Sequence, residues 1–180
     1  MGAIYLNHFS SPAPGPIVFA DNFNRGAGIS EPLGSNWSVE TNGPIINDNV
    51  ARGQGSGRAF VDTSVGNFGS NQYTQFKPSN FGNGKSFDWY LRGGLVWMVL
   101  PSLTGSYLTL RVYNSNQFDT GVTVSLGDVV RIEAVGTAFT IKKNGAVVWT
   151  GTLTSAANPG QPGFRASINL DIDDFEAGEL

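Results

Sequence analysis

LGDVVRIEAVGTAFTIKKNGAVVWTG, residues 126–151, reads as three short strands joined by two tight turns. Val130, Ile132 and Ala134 alternate with Arg131, Glu133 and Val135, a period of two that places an apolar row on one face of a strand. Gly136 breaks the run. Phe139 and Ile141 then alternate with Thr140 and Lys142. Asn144-Gly145 follows, the dipeptide best suited to a type I′ hairpin, in which both central residues take positive φ. Val147 and Trp149 continue on the return strand. The stretch is an antiparallel meander with one buried and one wet face, and its turn residues are explained by backbone geometry.

Working outward, the rest of the chain has the same texture. The 180 residues are 40% hydrophobic, enough for one sizeable core, while only 14% are charged and Gly numbers 24. Further short strands are expected around Ile17–Phe23, Trp37–Glu40, Ile45–Ile46, Val50–Arg52, Arg58–Val61, Gln72–Phe76, Phe87–Leu100, Tyr107–Tyr113, Gln117–Ser125, Phe164–Leu170 and Ile172–Ala177. Gly93-Gly94 marks a turn or bulge, and Ser155–Asn158 forms at most one helical turn. Many short strands at regular spacing specify an all-β sandwich or barrel.

Composition also excludes partners. A net charge of −3 with no basic cluster argues against nucleic acid. No run approaches 18 apolar residues, so no membrane-spanning helix is expected. The chain has no Cys, so neither disulfides nor Cys-based zinc sites are available. The N-terminus lacks Lys or Arg ahead of its short apolar run and reads as a poor signal peptide. Residues 1–17 read instead as an extended arm, stiffened by Pro12, Pro14 and Pro16, with Ile4, Tyr5, Leu6 and Phe9 as its partner-binding groups. The arm packs on its own domain or docks on a neighbouring subunit.

Five segments carry a resemblance: DNFNR at Asp21–Arg25, LGSNW at Leu33–Trp37, GDVVRIEAVGTAFTIKKNGAVVW at Gly127–Trp149, GQPGF at Gly160–Phe164 and DDFEAG at Asp173–Gly178. In this order they resemble the concanavalin A-like lectin/glucanase superfamily, particularly laminin-G-like members of bacterial and phage proteins. The resemblance implies an antiparallel two-sheet jelly-roll β-sandwich over residues 18–180. It also implies that the first and last strands lie side by side, bringing Phe23 and Phe175 together. It does not imply one function, because this fold carries lectins, hydrolases, lyases and structural modules.

Candidate chemistry is sparse. The acidic run Asp171-Ile-Asp-Asp-Phe-Glu176 is similar to the carboxylate strand of family 16 glucanases, but Asp171 stands where that pattern has Glu. Asp171, Asp173 and Asp174 are alternatively weak Ca²⁺ ligands; otherwise no metal or cofactor is expected. His8, the single histidine, lies in the arm with no partner for nucleophilic chemistry. Trp37 and Trp149 are assigned to the core. Adjacent Trp89 and Tyr90 must face opposite ways, so one ring could form a sugar platform, with Asp88, Arg92 and Asn114 as hydroxyl contacts.

Three functions compete. The leading expectation is a non-catalytic virion component, a phage capsid decoration or tail-associated protein docked through its arm onto other subunits. The alternative is a carbohydrate-binding module or lectin-like adhesin, secreted or at the cell surface, that binds cell-surface glycans. A glycanase or polysaccharide lyase ranks third. On this reading the chain is not an enzyme.

Overall fold

The computed structural model describes residues 16–26, 30–80, 87–94, 96–100, 107–112, 115–153, 159–167 and 170–180. Within them the chain runs as β1 (Val18–Asp21), β2 (Ser30–Pro32), β3 (Trp37–Val39), β4 (Ile45–Asn47), β5 (Val50–Arg52), β6 (Ala59–Val61), β7 (Gln72–Asn80) and β8 (Phe87–Leu91). It continues as β9 (Val96–Leu100), β10 (Tyr107–Val112), β11 (Ser115–Thr123), β12 (Val130–Val135), β13 (Ala138–Lys143), β14 (Ala146–Thr152), β15 (Gly163–Ala166) and β16 (Asp171–Glu179). Two sheets result. The first has the order β14-β13-β12-β7-β16-β5-β4-β2, with β1 added beside β16; the second has the order β11-β10-β9-β8-β15-β6-β3. Every pairing is antiparallel. The architecture is an antiparallel two-sheet β-sandwich.

The meander forms as its alternation dictates. Ile132 pairs with Ile141 and Ala134 with Phe139, and all four are buried. Asn144 and Gly145 take φ of 51° and 82°, the paired positive values a type I′ turn requires. The Asn144 carboxamide also ties the turn down. It accepts from Val129 N and donates to Asp128 Oδ1, each at 2.8 Å. On the return strand the register slips between Ile141 and Lys142, which face Trp149 and Val147. Val148 is left as a bulge residue, and both valines are exposed, 56% and 40%. Trp149 still packs against the core. The bulge therefore breaks the simple alternation the sequence suggests for Val147 and Trp149.

The first and last strands do lie side by side, with Asp21 opposite Phe175. The ring that meets Phe175 from β1 is Phe19, at 6.4 Å, whereas Phe23 packs on Trp37 and Phe164, both at 6.1 Å. The reason is local: Phe23 has φ 55°, so the chain turns after β1 and swings its ring under the second sheet. Trp37 is the hub between the sheets, 5.2 Å from Phe19, 5.3 Å from Phe164 and 5.1 Å from Phe175. A second cluster, Phe76, Phe87 and Trp89, fills the core beside it.

Asp21 fastens the edge of this core. Its carboxylate accepts from Arg25 Nη1 and Nη2, Trp37 Nε1 and Phe23 N at 2.8–2.9 Å. DNFNR and LGSNW are thus one connected structure. Ile17 belongs to the sandwich too: its N–H donates to Glu179 and its carbonyl accepts from Glu179 N. The arm groups Ile4, Tyr5, Leu6, His8 and Phe9 lie outside the described residues, as does the turn expected at 155–158.

Candidate functional site

β8 sorts its side chains by strict alternation. Phe87, Trp89 and Leu91 enter the core, so Asp88 and Tyr90 stand on the outer face of the second sheet. Beside them β15 presents Gly163 and Arg165, and β6 presents Phe60. Gly163 lies in register between Phe60 and Tyr90. A Cβ there would stand 2.2 Å from Ala59 O and 2.8 Å from the Phe60 ring. With no side chain between them, the Phe60 and Tyr90 rings meet at 5.4 Å.

Charge on this face is matched. Arg58 lies over both rings, 5.6 and 5.9 Å from their centroids, and its Nε donates to Glu40 at 2.9 Å. Hydrogen bonds from Arg58 outweigh slight desolvation and hold the Glu40 carboxyl below the usual range. Asp88 is bonded to Arg165. Burial, reinforced by Asp88, pushes the Tyr90 phenol upward, so it stays protonated at neutral pH.

Phe60 also forms one side of a groove of about 320 Å³ at the end of the sheet, at the lower end of the size range of ligand pockets. Ser38, Val61, Asp62, Thr63, Gly93 and Gln161 complete its lining. Asp62 is the groove's anion. Its Oδ1 accepts from Ser64 N at 2.8 Å, and bonding from Ser64 keeps the carboxyl below its ordinary value. Gln161 donates from Nε2 to Gly66 O at 2.9 Å. Its Oε1 is shielded from solvent and has no hydrogen-bond partner among the described residues. The groove thus combines an aromatic ring, two hydroxyls and an ionised carboxylate. A second groove, about 330 Å³, lies between the β2–β4 edge and β3. Its walls are mainly Pro32, Val39, Pro44 and Ile45, and its carboxylate, Glu40, is engaged by Arg58.

The residues singled out in the sequence are not brought together as a sugar platform. Trp89 is 1% exposed and Arg92 is fully buried. Alternation sends Trp89 inward, and the Arg92 side chain runs to the carbonyls of Ser70 and Gly136. Tyr90 faces outward but is only 5% exposed, covered by Arg58 and Phe60. Asp88 is buried against Arg165, and Asn114 lies outside the described residues. Phe60, Asp62, Thr63 and Gln161 went unmarked in the sequence. Gln161 does fall within GQPGF.

The acidic run sits on the outer face of the first sheet. Asp171, 4% exposed, accepts a two-pronged bond from Arg52 at 2.7 and 2.8 Å. Glu176 accepts from the Tyr73 hydroxyl. Asp174 is a bulge residue with φ 49°, paired with Lys77 at 3.2 Å. Burial raises Asp173. The three aspartates do not converge on one point, and no group of three or more acidic or histidine ligands occurs among the described residues.

No family model matches the chain, and no curated protein matches it in sequence. Solved structures do. SCLam, a non-specific endo-β-1,3(4)-glucanase from family GH16, superposes with a TM-score of 0.63 at 10% identity over 92% of both chains. The Crh5 transglycosylase gives 0.63 at 10% identity, covering 91% of this chain and 84% of its own. The Ca²⁺-bound exoplasmic/lumenal domain of VIP36 gives 0.62 at 11% identity, covering 91% and 90%. These matches establish the concanavalin A-like fold. They also overturn the expectation that the chain is not an enzyme: a glucanase and a transglycosylase share its framework along nearly its whole length, so the missing catalytic pattern in β16 no longer carries that exclusion.

Proposed function

We propose that the chain recognises carbohydrate through the groove bounded by Phe60, Asp62 and Gln161. The observation that supports it is the groove's composition. A sugar ring presents C–H patches and hydroxyls on adjacent surfaces. The Phe60 ring lines the groove and offers apolar surface to the former. Asp62 accepts hydroxyls without first losing a proton, and the exposed Ser38 and Thr63 add side-chain hydroxyls that donate or accept. The similar folds of a lectin and of glycan-processing enzymes agree with this reading. A glycan array probed with the chain and with its Phe60→Ala and Asp62→Ala variants tests it. Retention of a saccharide by the parent chain and its loss in both variants is expected; equal retention by all three defeats the groove.

Cleavage of the bound glycan is a second reading, supported by the similar folds of a glucanase and a transglycosylase. Release of reducing ends from a retained glycan, lost in Asp62→Asn, would establish it. A virion setting, with docking through residues 1–17, is a narrower proposal resting on the arm's sequence. Sedimentation of the full chain with particles, and its loss on removing the arm, tests that.

A further inference from the structure

We infer that Arg92 is a positioning residue for this groove, holding the wall formed by Gly93 and Gln161 in its binding shape. The inference rests on the carbohydrate reading above for its functional meaning. Arg92 is fully buried and forms no ion pair among the described residues. Its Nε donates to Ser70 O and its Nη2 to Gly136 O, both at 2.7 Å. Nη1 has no hydrogen-bond partner among the described residues. The guanidinium lies 5.3 Å from the centre of the Phe139 ring. A buried cation held by two carbonyls and a ring face, with no carboxylate beside it among the described residues, is poorly compensated, and apolar side chains of similar volume often serve stability as well or better. Its contribution must be sought in what it holds.

What it holds is the end of the sandwich that carries the groove. Arg92 and Gly93 take φ of 56° and 68°, so the turn between β8 and β9 stands in a left-handed conformation that a non-glycine residue adopts only under restraint. The restraint is visible. Arg92 N donates to Gln72 Oε1 at 3.0 Å, and Gln72 Nε2 donates to Gly160 O at 3.0 Å. Gly93 N donates to Gln161 O at 2.9 Å. Gly160 is pressed against the Arg92 backbone so closely that a Cβ would lie 2.6 Å from it. The guanidinium thus ties the 92–93 turn to the β7 entrance and the β12–β13 turn, and Gln72 and the Gly93 amide tie that turn on to the 160–161 segment. The 92–93 and 160–161 segments are a wall of the groove. Preorganised walls of this kind depend on supporting bonds behind them.

The test uses amide hydrogen exchange on the full chain with Arg92→Met and Arg92→Lys. Lysine keeps the charge but lacks the fork that reaches two carbonyls. In Arg92→Lys, the Gly93 amide should exchange about tenfold faster, with Asn144, bonded to Val129 O in the distant hairpin, changing less than about twofold. Arg92→Met should act in the same direction; should it fail to fold, the lysine variant decides alone. Unchanged Gly93 exchange in a folded variant overturns the inference, and so does an equal rise at Asn144, which would mark general destabilisation. Retention on the glycan array should fall in step with Gly93 exchange. If the parent chain retains no saccharide, the carbohydrate reading fails, and the exchange pattern still decides whether Arg92 holds this wall.

Discussion

The indole Nε1 of Trp37 donates to Asp21 Oδ2 across 2.9 Å, and this bond joins the edge strand of one sheet to the first strand of the other. Trp37 sits on β3, Asp21 on β1, and neither strand pairs with the other. Arg25 completes the joint, bonding Asp21 and the Leu33 carbonyl together. Two segments far apart in their sheets are closed over the Phe19, Phe164 and Phe175 rings.

Asp21→Ala should destabilise the fold by about 1–3 kcal/mol, because it leaves the buried indole N–H of Trp37 without its acceptor. Urea unfolding measures it. Burial alone would raise the Asp21 carboxyl, but bonds from Arg25, Trp37 and Phe23 outweigh it and hold the carboxyl below its ordinary value. A depressed folded value means the stabilisation is fully present above the unfolded value, about 4, and fades as pH falls through the folded one. The gap between the parent chain and Asp21→Asn should therefore be constant from pH 7 to about 4 and close on further acidification.

Trp89→Ala should cost about 3–5 kcal/mol, the range for deleting a fully buried aromatic. Phe60→Ala, on the outer face, should cost about 1 kcal/mol or less. Thermal unfolding of the two variants separates core from face, and similar losses would contradict the assignment of sides on β6 and β8.

Period-two patterns made most of this fold legible. The alternation in Val130–Val135 and the Asn144-Gly145 pair place the meander, and DNFNR with DDFEAG place the joined ends. Alternation also implied that only one of Trp89 and Tyr90 could face outward. It could not say which one, because both flank β8 equally and the choice depends on which face the other sheet covers. The groove was hidden for a different reason. Phe60 and Asp62 come from β6 and the turn after it, Gln161 from a loop about a hundred residues on, and Gly93 from a third connection. No spacing in the chain records that meeting. Arg92 looked like a surface contact because arginine is seldom buried without a carboxylate.

Gly163→Ala should lower the melting temperature by roughly 4–8 °C. The added carbon would meet Ala59 O at 2.2 Å, forcing apart β15 and β6, and overpacking of this order costs about 2 kcal/mol. It should also separate the Phe60 and Tyr90 rings, read as a change in near-ultraviolet circular dichroism. An unchanged melting temperature would show that β15 and β6 are not held in this register.

The most direct measurement is amide chemical-shift mapping of the labelled chain, titrated with the saccharide best retained on the array. The account predicts saturable shifts at Phe60, Asp62, Thr63, Gly93 and Gln161, with the outer face of the first sheet, around Tyr73, Arg131 and Glu176, unmoved. Shifts centred on that face, or none at saturating sugar, would contradict it.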